Sequence, residues 1–296
     1  MKRLVLGLAG LLLAACGLGG SGPYHQKDGM WFFENEQMRV PDGETVKALN
    51  NRFARTATLA FYRSSIIDGA DAATFTALTE HYAKDKNHVW YADTYRKGQE
   101  YYAIVHTRVR ELSDADPATF VSLDTPHAEN DLGYARDRNH VWFEGQRMAV
   151  ADVASFEVQS YGYARDKTTG YYMRRPVPGS DGRTFTNVGN AWAKDATHVW
   201  WSDVTLESQP PGAVINRLAE GADPATFEAL DGGYGKDKAR VWFQGNLVEG
   251  ADPASFVVEP GGSNPGDARD KNGFFQSGQK VSPFSPPTDR VPVGVK

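Results

Sequence analysis

Disulfides are closed to this chain, because Cys16 is the single cysteine among 296 residues. A zinc site built on cysteines is excluded with them. Long hydrophobic runs are missing too. The apolar stretch from Leu4 to Leu13 is too short to cross about 30 Å of hydrocarbon as a helix. There is no H-E-x-x-H, no G-x-S-x-G and no P-loop. Ser277 and Lys280 fit S-x-x-K, but they lie in a strand-like terminal segment without that motif's partners. Basic runs are absent as well. Lys and Arg number 32 against 37 Asp and Glu, a net charge of −5. Such a chain is a poor binder of nucleic acid, and none is expected as a partner.

What is present begins at the first residue. Met1-Lys2-Arg3 is a short positive start, Leu4 to Leu13 an apolar middle, and Ala14-Ala15 a small-residue site before Cys16. That order predicts a signal peptide over 1–15. Leu13-Ala14-Ala15-Cys16 resembles the lipobox of bacterial lipoproteins. The resemblance implies that Cys16 becomes the N-terminus and carries several acyl chains, which one chain alone could not replace as an anchor. An acylated thiol is inert, so thiolate and redox chemistry are not expected. Gly17 follows the cysteine rather than aspartate, which favours the outer membrane by analogy with enteric bacteria. Without Lys2 and Arg3 the balance is 30 basic to 37 acidic, a net of −7. Gly17 to Gly22 formally fits G-x-G-x-x-G, but no helix pattern follows, and residues 16–23 read as the lipidated cysteine and a flexible tether. Residues 282–296 hold four prolines and read as an extended tail.

Between tether and tail the chain repeats itself. Tyr82 to Tyr91 returns as Tyr134 to Phe143, as Trp192 to Trp201 and as Tyr234 to Phe243; weaker copies open at Tyr24, Phe53 and Tyr163, and a last one ends at Phe274-Phe275. The openings at 24, 53 and 82 are 29 residues apart, as are those at 134, 163 and 192. Eight units result over 24–281, with insertions near 92–113 and 202–220. Each opening block has a polar centre, such as Asp85-Lys86-Asn87, between arms rich in aromatic and β-branched residues. This predicts a β-hairpin that sets Tyr82 opposite Tyr91 and Ala83 opposite Trp90. The small slot recurs as Ala54, Ala135, Ala164, Ala193 and Gly235, each facing a large aromatic. Two adjacent aromatic slots are read in every unit, the last being Phe274-Phe275. A short third strand is expected to carry Met38, Ile67, Met148, Val177 and Val248. An aspartate four residues before a later hydrophobe (Asp42, Asp71, Asp116, Asp152, Asp181, Asp223, Asp252) predicts a capped single helical turn. The fold class is therefore mainly β, tandem hairpins with a third strand and one helical turn per unit. Propeller-like closure is the alternative, although 29 residues is short for a blade.

Asp85-Lys86-Asn87-His88-Val89-Trp90-Tyr91, and the same pattern at 137–143, resembles the DKNYY repeat of bacterial envelope proteins. The resemblance extends from Tyr24 to about Val281. It departs at Thr56-Ala57-Thr58, where the aspartate is missing, and at Asp270-Lys271-Asn272-Gly273, read as one residue short. It implies a repeat architecture and no active site.

Three slots invite functional readings. His88, His140 and His198 share one position beside the turn, but in different units, so a shared metal is not expected. The turn aspartates lack the pattern of a calcium loop and read as N-caps. Trp90, Trp142, Trp200 and Trp242 form a ladder that either packs the interior or stacks on glycan rings. No cofactor is expected. Tandem repeats disfavour one catalytic constellation, and the insertions, with Tyr95-Arg96-Lys97-Gly98 and Tyr101-Tyr102-Ala103-Ile104-Val105 reading as an extended hairpin, are the favoured place for function. The leading expectation is a non-enzymatic, membrane-anchored scaffold of the bacterial envelope that binds a protein partner, of immunity or regulatory type. Glycan or peptidoglycan binding through the Trp ladder is second. An enzyme with its site in the insertions is third.

Overall fold

The computed structural model describes residues 22–101, 104–123, 133–205, 213–259 and 266–282. Cys16, nearly all of the tether and the tail beyond Ser282 lie outside these. The described chain forms eight antiparallel sheets, one per unit, with strands in chain order. Unit 5 shows the pattern: Glu157–Val158, Tyr163–Arg165, Gly170–Tyr172 and Arg175–Pro176. Unit 1 has three strands, and the other seven have four.

The central hairpin has the expected register. Tyr82 pairs with Tyr91 and Ala83 with Trp90, and the same holds for Tyr134 with Phe143 and Ala135 with Trp142. A four-residue loop closes it in units 2 to 7, and a two-residue loop in units 1 and 8. The Asp85 N–H donates to the His88 carbonyl at 3.0 Å, while Asp85 Oδ1 accepts from the Asn87 and His88 N–H groups, both at 2.7 Å. A carboxylate fixing the backbone two and three residues ahead is the reason this loop needs aspartate.

Four expectations need correction. The third strand stops one residue early, at Glu36–Gln37, Ser65–Ile66 or Gln146–Arg147. The buried hydrophobe that follows still donates its N–H back to the hairpin, as Met148 does to Val141 at 2.8 Å. Seven units also carry a leading strand, Thr76–Ala77 in unit 3 and Glu228–Ala229 in unit 7. It has no common residue type and is held by backbone pairing, so no side-chain pattern marks it. The helical turn is a 3-10 turn only at Val153–Ser155, capped by Asp152; elsewhere the aspartate closes a simple turn. In the last unit Ala268 pairs with Phe275, as Ala83 does with Trp90. That unit is of full length, and its second slot is Gln276 rather than an aromatic.

The sheets stack through their two faces. The opening and second aromatics of one unit face forward, and the alanine and first aromatic of the next face back. Seven core clusters join the eight sheets in sequence. Each of the six after the first centres on three rings, such as Tyr82–Phe120–Trp142 with centroids 5.6 and 5.3 Å apart. Burying a ring like Phe120 contributes about 2–3 kcal/mol. The small slot is small because the previous unit's rings cover it: a Cβ on Gly235 would enter Phe227 and crowd Trp192. A closed ring of eight sheets needs an eighth junction, and none joins unit 8 to unit 1 among the described residues. The array is open, and the propeller alternative falls. Its forward end is more polar than an inner junction, since unit 8 has Asp267 and Gln276 where inner units have aromatics, with half-buried Phe274 in the slot of Val89.

The turn after the hairpin seats the next unit. Gly145 has φ +65, and a Cβ there would overlap the Tyr91 ring. Gly145→Ala is expected to cost about 2–3 kcal/mol, from strain plus overpacking. Urea denaturation followed by circular dichroism measures it.

Candidate functional site

The aspartates that repeat, with the cations beside them, hold units together. The turn aspartates Asp85, Asp137, Asp166, Asp195, Asp237 and Asp270 are buried. The second oxygen of each accepts the backbone N–H of the aspartate that closes the preceding turn: Asp71 to Asp85 at 2.7 Å, Asp116 to Asp137 and Asp152 to Asp166 at 2.9 Å. Asp181, Asp223 and Asp252 donate likewise to Asp195, Asp237 and Asp270. The next residue returns a cation to that donor. Lys86 pairs with Asp71 at 2.7 Å and Lys238 with Asp223 at 3.0 Å, with Arg138–Asp116, Lys167–Asp152 and Lys271–Asp252 alongside. Where Thr56 stands in for the aspartate, its hydroxyl accepts from the Leu59 N–H at 3.0 Å and Glu44 takes the Thr58 hydroxyl at 2.7 Å.

Opening aromatics add a second tie. Tyr82 donates its hydroxyl to the Gly133 carbonyl at 2.7 Å and accepts the Gly145 N–H at 2.9 Å. Tyr134 reaches the Gly162 and Met173 carbonyls, Tyr163 that of Ala191, and the Trp192 indole N–H that of Tyr234. Strand cations close the next turn, Lys84 on the Pro117 and Phe120 carbonyls and Lys194 on Pro224.

These ties depend on ionised carboxylates. Burial alone would raise Asp166, but the Thr168 hydroxyl and N–H, the Tyr171 hydroxyl and the Asp152 N–H outweigh it and lower it to about 2. Asp85 and Asp195 are likewise lowered, backbone N–H donors overcoming burial. Ion pairing with Lys86, Arg138 and Lys167 lowers Asp71, Asp116 and Asp152. A carboxyl depressed by folding stabilises the fold fully above its unfolded value and loses that contribution as pH falls through its folded one. Stability is therefore expected to hold from pH 7 to about 4 and to fall steeply from there toward 2. Thermal melts across that range check it.

The sequence-predicted sites separate. Trp90, Trp142, Trp200 and Trp242 are 2, 1, 3 and 0 % exposed. Phe75, Phe120, Phe185 and Phe227 lie against them at 5.3–6.0 Å, which leaves no open indole face for a sugar ring. The histidines are not brought together. Each leans on the tryptophan of its own unit at 5.5–5.6 Å, and no metal-holding group of His, Cys, Asp and Glu occurs among the described residues. Ser277 sits in a hairpin turn with its N–H on Asp267, and Lys280 is in the final strand.

What the repeat does not account for includes two long hairpins. The first insertion does form a hairpin, but its arms are Val89–Tyr95 and His106–Glu111 rather than the expected 95–98 and 101–105, and Gly98–Glu100 is a 3-10 turn. Val199–Thr205 pairs with Ala213–Leu218 at the same place in unit 6, a hairpin that no aromatic pattern in residues 202–220 marks. Their bases match. Arg110 lies 5.5 Å over Tyr91 and donates to the Glu144 carbonyl; Arg217 lies 5.7 Å over Trp201 and donates to that of Gln244. Their outer parts differ. On the first, His106 stacks on Tyr95 at 5.2 Å and Arg108 lies 5.5 Å over the same ring while pairing with Asp93. Tyr95, Tyr101 and Ile104 stand exposed there. On the second, Val204 and Val214 lean back on the core between units 5 and 6. A cleft of about 240 Å³ opens beside it, lined by Pro178, Gly179, His198, Trp200, Asn216 and Leu218. In unit 7 Arg240 occupies the place of His198 and bonds across to the Gly221 carbonyl at 3.1 Å.

No curated protein and no solved structure matches the chain. The sequence model of the DKNYY family matches it twice, over residues 18–94 and 93–175. The first match covers units 1 to 3 up to the rising arm of the long hairpin, and the second runs from that arm into the last strand of unit 5. Units 6 to 8 lie beyond the matched residues and keep the same register, as in Ala193 opposite Trp200 and Gly235 opposite Trp242. With more than half of its length matched, and with its aspartate, cation and aromatic slots in the geometry just described, the chain belongs to the DKNYY family.

Proposed function

We propose that this chain is a non-enzymatic lipoprotein of the bacterial envelope, anchored through Cys16 and presenting its repeat array to a protein partner. The anchor reading rests on Lys2-Arg3, the apolar Leu4 to Leu13 and Leu13-Ala14-Ala15-Cys16. Gly17 after the cysteine favours the outer membrane. The partner reading rests on one observation above others: the repeated aspartates and the cations paired with them bond to the array itself, while the first long hairpin offers exposed Tyr95, Tyr101 and Ile104 with Arg96 and Lys97. Aromatic and arginine side chains on a rigid element suit a protein interface. The immunity or regulatory role is the version of this reading in which the partner is a toxin or an enzyme.

The test is affinity capture from solubilised envelopes, with the acylated protein as bait and a tether-only lipopeptide as control. A partner recovered by the full protein, and lost with Tyr95→Ser/Tyr101→Ser, supports the reading. Recovery of nothing above the control, or equal recovery by the double variant, removes its support.

A further inference from the structure

Unit 1 differs from the rest on its backward face. In units 2 to 8 that face is a small residue opposite an aromatic, all buried, such as Ala54 with Phe61 and Ala268 with Phe275. In unit 1 the equivalent row is His25 opposite Phe32 opposite Gln37. His25 and Phe32 stack at 5.6 Å and belong to none of the seven clusters. Beside them on the same face, Lys27 pairs with Met30, and both are exposed. The row thus holds Phe32, Met30, Lys27, His25 and Gln37, with Asp28 in the turn between Lys27 and Met30, on a chain whose mature net charge is −7.

The forward end of unit 8 offers this face one half-buried ring, Phe274, beside Asp267 and Gln276, without the opening and second aromatics that cover the next unit at an inner junction. The chain's own path points elsewhere. Tyr24 is eight residues from Cys16, at most about 28 Å of extended chain.

We propose that the backward face of unit 1 is a footing on the lipid surface, with Met30 and Phe32 at the headgroup boundary and Lys27 on anionic headgroups. The proposal rests on the anchor reading. Apolar side chains flanked by cations are what an interfacial segment needs, and a lysine at an anionic surface gains from its potential. The array then starts at the membrane, and its more polar end, unit 8, points away. The two long hairpins are held at fixed heights, in units 3 and 6.

Met30→Cys tests this in the acylated protein, where its thiol is the only free one. It is labelled with an environment-sensitive NBD group, with Gln279→Cys in unit 8 as control. Both proteins go into vesicles of phosphatidylethanolamine and phosphatidylglycerol, and circular dichroism establishes that both keep the parent fold. We expect a blue shift and a severalfold rise in emission at position 30 on transfer from detergent to vesicles, and no change at 279. An acylated protein whose position 30 stays as wet as 279 overturns the footing and leaves the anchor intact. Shielding at 30 that follows protein concentration rather than lipid assigns the face to another protein and also overturns it. A mass spectrum of the mature N-terminus without acyl groups ends the anchor reading, and the footing with it.

Discussion

Replacing Trp142 with alanine is expected to cost about 3–5 kcal/mol, the range for removing a fully buried large aromatic. The indole is 1 % exposed, packs on Phe120 at 5.3 Å, and fills the junction between units 3 and 4 with Tyr82 and Tyr91. No polar partner rescues the gap, and Ala135 opposite is too small to close it. In a stack where each unit touches only its neighbours, the loss stays local at first. Amide hydrogen exchange should therefore show protection falling in units 3 and 4 and persisting in units 7 and 8. Unfolding need not remain a single transition, so the exchange pattern reports more than one midpoint would. Full protection of units 3 and 4 in Trp142→Ala would mean that the tryptophan slot is not core.

Asp166→Asn should come second, at about 3 kcal/mol near pH 7. Asp166 Oδ2 accepts from the Ala151 and Asp152 N–H groups at 3.1 and 2.9 Å and from the Tyr171 hydroxyl at 2.8 Å. The other oxygen accepts from the Thr168 N–H and hydroxyl and the Thr169 N–H. An amide offers one oxygen, so its NH2 must face at least two donors in a buried site. The deficit should shrink as pH falls from about 4 toward 2, because the unfolded chain takes up the proton there before the native carboxylate does. Urea titrations of both proteins at pH 7 and near pH 3 measure it. An equal deficit at both would assign the loss to packing rather than charge.

The sequence displayed some of this and concealed the rest for physical reasons. The hairpin register was legible because alanine and tryptophan are complementary in volume, and only one register puts every small residue under a large one. The capping aspartates were legible from their spacing. The buried aspartate's second role was not, because its partner is a backbone N–H in an earlier turn, which no side chain marks. The leading strand was hidden for the same reason. Phe274-Phe275 imitated the double aromatic slot, and only the pairing of Ala268 with Phe275 places Gln276 in the second position. Among the described residues that position faces no ninth unit, so a polar residue costs nothing there. The first long hairpin showed through Tyr95 and Tyr101, whereas the second bears no such aromatics and passed as a plain insertion.

Acrylamide quenching of the seven tryptophans tests most directly whether the aromatic slots are the interior of a stack. Trp31 is half-buried at the first unit, and Trp90, Trp142, Trp192, Trp200, Trp201 and Trp242 are buried. The structure predicts one accessible component of emission, lost in Trp31→Phe, over a shielded and blue-shifted remainder. An accessible fraction that survives Trp31→Phe with the fold intact would contradict it, because indoles of the ladder would then stand open to solvent.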